Sequence, residues 1–457
     1  MTDTSWLEVD LVALRRNIAT WRQMLDRPDS PRGAAKLCAV LKADAYGTGS
    51  GEVARCLDQA GADMFAVYSP AQAHDLLAHP ITRPILILMP VRTKPETARL
   101  HHALLAGQLH YAIDSPDQLV TIDSIGASYD CRVPIHLAVD TGMSRGGLSV
   151  DQLGPVLRKA ARLPHVKLAG IWTHFAAADS EADFTQAQLG QFQDAVKQNK
   201  ALVPQSTLLH AAATHAALRD ARYLLDRVPI GLGLYGYGSP AWMTASNEVE
   251  PVRAHDDDPD DHLNSADTGI FDAFETVDGH DVIMPQAAKL VPAIRWRSRI
   301  VHVRKYAAGA TVGYGCTTRL ARDSYLGLVP VGYADGVPLS LSNKGCVRLT
   351  RTRGGETKAL HAPIVGRVNM DQIIIDLTEA HTEGNGHHAP LAQVEDVVEV
   401  ISDDPSSPCY LPTLAASAGS SVYELLCRIS PRIGRVYTNT APRATELAGD
   451  RLKMSAV

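Results

Sequence analysis

The sequence predicts an α/β protein: an N-terminal (β/α)8 barrel of the TIM type followed by a smaller, mainly-β domain. Three observations carry this. Between residues 37 and 236, eight short apolar runs alternate with longer amphipathic segments, the pattern of parallel strands joined by helices. Beyond residue 287 the apolar runs follow one another mostly without helical segments between them. A doubly wound open sheet, the rival for an alternating pattern, lacks here its dinucleotide fingerprint.

The elements follow in chain order. Residues 1–10 contain SWLEVD, read as a strand that joins the β domain, and Asp10 is placed to cap the helix LVALRRNIATWRQML. The barrel is assigned to 11–240, with strands in LCAVLK, MFAVYS, PILILM, LHYAID, IHLAVD, LAGIWTHF, TLLHAA and IGLGLYG. Segments such as GEVARCLDQAG and DQLGPVLRKAARL supply the helices. Residues 241–286 include AHDDDPDDHLNSADTG, acidic and rich in turn formers, and read as an insertion forming a mobile loop. The β domain is assigned to 287–445, with strands in RWRSRIVHVRKY, YLGLVPVGY, PIVGRVNM, QIIIDLT and DVVEVIS and a late helix in TLAASAGSSVYELLCRI. A tail of 446–457 closes the chain.

Bulk properties narrow the function classes. A formal charge of −6 on 457 residues argues against a general binder of nucleic acid or anionic membranes. Seven single cysteines with no CxxC pair fit a reducing cytoplasm. The stretch MTDTSWLEVD shows no signal peptide, and no apolar run reaches membrane length. A cytoplasmic protein is expected. His101, His102, His387 and His388 lack a matching ligand pattern and are read as solvated, so no metal site is expected.

Sites in such barrels are built at the C-terminal ends of the strands. The first strand runs into Lys42 and Tyr46, and the fifth into Asp140 and Arg145. His174 follows the sixth, His210 and Thr214 close the seventh, and Tyr235 with Gly236 ends the eighth. A lysine, an arginine, a histidine and several hydroxyls thus converge on one rim, a set able to hold an anionic cofactor covalently. A lysine at the end of a buried strand is costly as an ammonium, and one whose pKa falls serves as a nucleophile or base.

Several segments together resemble the alanine racemase family, pyridoxal-phosphate enzymes of fold type III. They are AVLKADAYGTG, DTGMSRGGL, GIWTHFAAAD, YGC, GYADG and VGRVNMDQ, and the resemblance runs from WLEVDLVALRRNI to RIGRVY. It implies pyridoxal 5'-phosphate as cofactor, a small amino acid, most simply alanine, as substrate, and a head-to-tail homodimer with shared sites. It implies that Lys42 attaches the cofactor and acts as one base, and that Tyr314 is the opposite base, supplied by the second subunit. Arg145 and Met370 would serve the substrate, Met370 through its backbone N–H and Arg145 through hydrogen bonds. Tyr46, Thr214 and Tyr437 would hold the phosphate through hydroxyls and Gly231 and Leu232 through the backbone, with His174 in the cofactor site. Asp371 would shape the entrance.

The chain departs from the family pattern at five places. Thr48 stands where histidine is usual, Pro229 where arginine is usual, Ala138 where many members carry lysine, Ala213–Thr214 where asparagine–serine is usual, and Leu339 close to where an arginine is usual. Arg227 lies two residues before Pro229, on the same face of a strand. Two other readings follow from the altered shell: a pyridoxal-phosphate-binding homologue with little turnover, and a fold-type III enzyme for another amino acid such as serine.

Overall fold

A computed structural model describes residues 4–26, 33–211, 213–238, 288–353, 356–381 and 392–438. The stretch assigned to the acidic insertion, the tail and the pair His387–His388 lie outside the described residues. The chain divides into two compact units. One is Arg16–Val291 with Gly419–Cys427; the other is Met1–Arg15, Pro292–Ala418 and Arg428–Val457.

The first unit holds a closed barrel of eight strands: β2 (Lys36–Val40), β3 (Met64–Val67), β4 (Ile85–Ile87), β5 (Leu109–Ile113), β6 (Val133–Ala138), β7 (Val166–Trp172), β8 (Leu208–His210) and β9 (Arg227–Ile230). Every neighbouring pair is parallel, and β9 closes onto β2 with Cys38 opposite Pro229. Seven helices follow the first seven of these strands, and local chemistry starts several of them. Ser69, Thr97 and Ser115 each accept the N–H of the residue three further on, and Ser149 forms a reciprocal capping box with Gln152. Pro70 and Pro116 occupy first-turn positions where no N–H is needed. Alternate side chains of the strands fill the barrel: Cys38, Met64, Ala66, Leu86 and Ala112 are buried against Val40, Leu88 and Trp172.

The eighth barrel strand lies earlier than the sequence reading placed it. It ends at Ile230, and most of IGLGLYG forms a short 3-10 turn, Leu232–Tyr235, closed by Gly236 at φ +83°. Two side chains of helix Leu11–Leu25 that belong to the same unit pin this turn: Asn17 Nδ2 donates to the Leu234 carbonyl at 2.9 Å and Trp21 Nε1 to that of Gly233 at 3.0 Å.

The second unit is mainly β. Its six-stranded sheet runs β16 (Glu356–Pro363), β15 (Cys346–Arg353), β18 (Val397–Ile401), β10 (Ile294–Arg299), β1 (Ser5–Asp10), β19 (Gly434–Thr438). β1 is antiparallel to β10 and parallel to β19. Asp10 Oδ1 accepts the N–H groups of Val12 and Ala13 at 2.8 and 3.0 Å, the cap expected of it. A second sheet orders β11 (His302–Tyr306), β14 (Ser324–Val329) and β17 (Ile373–Asp376), and β12 (Thr311–Val312) pairs with β13 (Thr318–Arg319). RWRSRIVHVRKY therefore divides between two sheets, and most of PIVGRVNM lies beyond the end of β16. The single late helix expected in TLAASAGSSVYELLCRI is two, Leu411–Ala418 and Val422–Arg428, broken at Gly419, which takes φ +62°.

A buried charge network ties the six-stranded sheet together. Glu399 on β18 accepts from Arg297 at 3.2 Å, Arg348 at 2.7 Å and Ser402 at 3.0 Å. Glu8 on β1 accepts from the same Arg297 at 3.0 Å and from Trp6 at 2.9 Å.

Candidate active site

Past β2 the backbone does something rare. Ala43, Asp44, Ala45 and Tyr46 all sit near φ +55°, ψ +45°, a complete left-handed turn of non-glycine residues. Each such residue costs about 1–2 kcal/mol, so the turn needs anchors. Thr48 Oγ1 and Tyr235 Oη both reach the Ala45 carbonyl, at 2.6 and 2.8 Å, and stand 2.9 Å apart. Asp44 Oδ1 accepts the Ser50 N–H at 2.7 Å. The turn sets Lys42 at its start and Tyr46 at its end. Thr48, the departure from the expected histidine, is one of its anchors.

Lys42 opens onto a cavity of about 350 Å³ inside the mouth of the barrel, whose wall also includes Arg145, His174, His210, Trp172 and Pro229. Lys42 itself is exposed, not buried as its place after an apolar strand suggested; β2 is enclosed and the lysine stands at the opening. Partial loss of solvent, then the charge of Arg145, lowers its pKa below 10.5. His174 is held down to about 4 by burial, then by Arg145 and Lys42, so it is neutral at pH 7.

Arg145 is carried by the turn DTGMSRGG. Asp140 Oδ1 accepts the N–H groups of Gly142, Met143 and Ser144 at 3.0, 2.9 and 3.1 Å. Partial burial opposes ionisation of Asp140, but these donors outweigh it and hold the carboxylate below its ordinary pKa. Gly147, at φ +111°, is required because a Cβ there would stand 3.0 Å from the Asp140 nitrogen.

A second cluster gathers Tyr46, Thr214, Gly231 and Leu232. Tyr46 is buried between Tyr235 and Tyr423, with ring centroids 6.0 and 5.9 Å away. Its hydroxyl rests on the Gly231 backbone so closely that any Cβ there would collide with it. Thr214 Oγ1 accepts the Gly233 N–H at 3.2 Å. Hydroxyls and a glycine turn side by side form a cradle suited to a phosphate.

The remaining expected residues lie on the β unit. Tyr314 follows Gly313 (φ +69°), precedes Gly315 (φ +72°) and is 73% exposed; Met370 is 55% exposed. The GYADG segment holds Met370 in place. Tyr333 and Ala334 donate their N–H groups to the Asn369 and Met370 carbonyls, both at 3.0 Å. Arg432 bridges Asp335 and Asp371, each at 2.7 Å. Tyr437 lies on β19, opposite Val9.

Sequence reading missed the wall residues Trp172, Tyr68 and Asp114 and the groups beneath His210. His110, His136 and His210 form a hydrogen-bonded row in the barrel interior. The available signal was one histidine in each of three apolar strands, LHYAI, VPIHLA and LLH. Among the described residues no group of acidic, histidine or cysteine side chains is placed to hold a metal ion, and no helix is long and apolar enough to cross a membrane.

Comparisons with known proteins agree with the fold. The alanine racemase N-terminal domain model matches residues 9–240 and the alanine racemase C-terminal domain model matches 293–437. The alanine racemase of Nostoc sp. is 32% identical over 438 residues, covering 94% of this chain and 95% of the relative. That of Halothermothrix orenii is 29% identical, covering 96% and 98%. Among solved structures, alanine racemase from Streptomyces lavendulae superposes with a TM-score of 0.74 at 24% identity, over 96% of this chain and 98% of the other. One from Bartonella henselae, with covalently bound pyridoxal phosphate, gives 0.69 at 24% identity over 95% and 99%. From the first barrel strand to the last strand of the β unit, the chain belongs to the alanine racemase family.

Proposed function

We propose that this protein is a pyridoxal-phosphate-dependent racemase that interconverts L- and D-alanine, working as a homodimer whose two copies share each site. The observation that carries this is the convergence of Lys42, Arg145 and His174 on one cavity, in a chain that matches alanine racemases along its length. The residues fit the cofactor on two counts. An amine with lowered pKa opens onto a cavity large enough for a substituted pyridine ring, and the Gly231 backbone, which has no room for a Cβ, stands against a buried tyrosine hydroxyl. When bound, pyridoxal phosphate supplies the electron sink that makes the α-proton of an amino acid removable.

The chain's own groups do the rest. Lys42 Nζ would hold the cofactor covalently and would take or return the α-proton on one face. Tyr314 Oη of a second copy does the same on the other face; its high exposure on the β unit suits a residue that acts on a neighbour. Arg145 orients cofactor and substrate, and the Met370 N–H of the second copy receives the substrate carboxylate. Tyr46, Thr214 and Tyr437 hold the phosphate through hydroxyls and Gly231 and Leu232 through backbone N–H groups. His174, neutral at pH 7, adds no charge to the ring's surroundings. The test is formation of D-alanine from L-alanine by the cofactor-loaded protein. Lys42→Ala should abolish it, and a Lys42→Ala protein with full activity would overturn the assignment.

A further inference from the structure

Beneath the cavity, the barrel interior carries a polar row. His110 Nδ1 lies 2.9 Å from His136 Nε2, and His136 Nδ1 lies 3.0 Å from His210 Nε2. The strands make room for it. Gly170 on β7 lies where a Cβ would collide with His136 Nδ1 and stand 3.1 Å from His210 Nε2, so only glycine lets the second bond cross this strand. β6 and β7 also shift register between Ile135 and His136.

One end of the row is incomplete. His210 Nδ1 is buried without a hydrogen-bond partner, and so are Nε and Nη1 of Arg227. His210 and Arg227 are direct register partners on β8 and β9. Arg227 is 6% exposed and, among the described residues, forms no ion pair. Arg227 does not belong to the wall of the cavity, whereas Pro229 and His210 do. A guanidinium can only donate, so a buried acceptor nitrogen beside it is the complement it needs.

We propose that Arg227 is a positioning residue that fixes the tautomers of the whole row, donating to His210 Nδ1 through one buried water. Three orphaned polar groups on paired residues of β8 and β9 match what a buried water bonds. Because both orphaned Arg227 N–H groups donate to that water and fill its acceptor sites, the water donates to His210 Nδ1, and the direction of every bond follows. His210 Nδ1 accepts, so its proton sits on Nε2 and is given to His136 Nδ1. The proton of His136 then sits on Nε2 and is given to His110 Nδ1. The row is a chain of neutral imidazoles polarised from Arg227. His210, stacked on Trp172 at 6.0 Å and 6° between planes, is thereby held still in the cavity wall. This inference is independent of the reaction proposed above.

Solid-state ¹⁵N NMR of the full-length protein labelled at histidine ring nitrogens tests it, with and without pyridoxal phosphate. At pH 5 solvated histidines are protonated. The row stays neutral there: burial, then Arg227, brings His110 to about 3, and His136 and His210 are lowered by the same surroundings. Single His→Gln substitutions assign the signals. Protonated Nε2 with bare Nδ1 at both His136 and His210 is the expected pattern. Arg227→Met should lower the Nε2–H to Nδ1–H ratio at His210 by at least about fivefold, the worth of one ordinary hydrogen bond, and Arg227→Lys should restore much of it. A proton on His210 Nδ1 in the unsubstituted protein overturns the proposal, as do tautomers unchanged in Arg227→Met. If Arg227→Met fails to fold, the unsubstituted spectrum decides alone.

Discussion

Replacing Gly231 by alanine isolates the contact on which the phosphate cradle depends. Gly231 takes φ −113°, so alanine is not forced into a left-handed backbone, and its effect is one of space. The new methyl would collide with Tyr46 Oη and stand 3.0 Å from Cζ and 3.5 Å from Cε2. Tyr46 has little freedom to give way, being 4% exposed and enclosed by Tyr235 and Tyr423. Overpacking of this kind costs about 1–3 kcal/mol. Divided by about 1.4 kcal/mol per decade, that is roughly a 5- to 150-fold loss when it falls on cofactor affinity. When it falls on the fold, it lowers the melting temperature by roughly 2–10 °C. The assay is a four-way comparison of the unsubstituted protein, Gly231→Ala, Tyr46→Phe and the double variant, each followed by thermal melting and by pyridoxal-phosphate titration. Removing the hydroxyl removes the worst collision, so the double variant should recover most of what Gly231→Ala loses relative to Tyr46→Phe. Normal melting and normal affinity in Gly231→Ala would refute the reasoning.

Two further outcomes are expected. Arg145 is the second cause of the lowered Lys42 pKa, after desolvation, so Arg145→Met should raise that pKa toward 10.5. The pH midpoint for modification of Lys42 by an amine-directed reagent, mapped by peptide mass, should move upward, with Arg145→Lys closer to the unsubstituted protein; an unmoved midpoint contradicts the coupling. In the β unit, Glu399→Ala removes the carboxylate that Arg297 and Arg348 share and leaves Arg297 with Glu8 and Arg348 with Asp404. That should cost about 1–3 kcal/mol in urea unfolding, as leaving buried donors short of a partner does, and no measurable loss would show the network to be solvated.

Much of the fold was legible because it rests on short-range pattern. Eight apolar runs bounded by helical segments define a closed parallel barrel in only a few ways, and Asp10 marks the start of the helix Leu11–Leu25 by its own chemistry. The misreadings fall where glycine overrides apolar pattern. IGLGLYG reads as a strand by hydrophobicity, yet its glycines permit the tight turn beyond Ile230, and Gly419 cuts in two what reads as one helix. Lys42 was legible as a residue but not in its exposure, because the left-handed turn from Ala43 to Tyr46 has no signature in propensity: alanine, aspartate and tyrosine disfavour it, and its anchors include Thr48, Asp44 and the distant Tyr235. The histidine row was hidden for a related reason. An inward histidine on an apolar strand reads as an isolated core residue until the barrel closes and brings three together.

The central claim is proton exchange at the α-carbon of alanine by two bases on opposite faces, and solvent deuterium tests it most directly. Cofactor-loaded protein is incubated separately with L- and D-alanine in deuterated water, and both enantiomers are recovered early in the reaction. Two opposed bases predict product carrying deuterium at the α-carbon and remaining substrate nearly free of it, from either direction. Absence of the opposite enantiomer would contradict racemisation, and equal deuterium in substrate and product would contradict the division of labour between Lys42 and Tyr314.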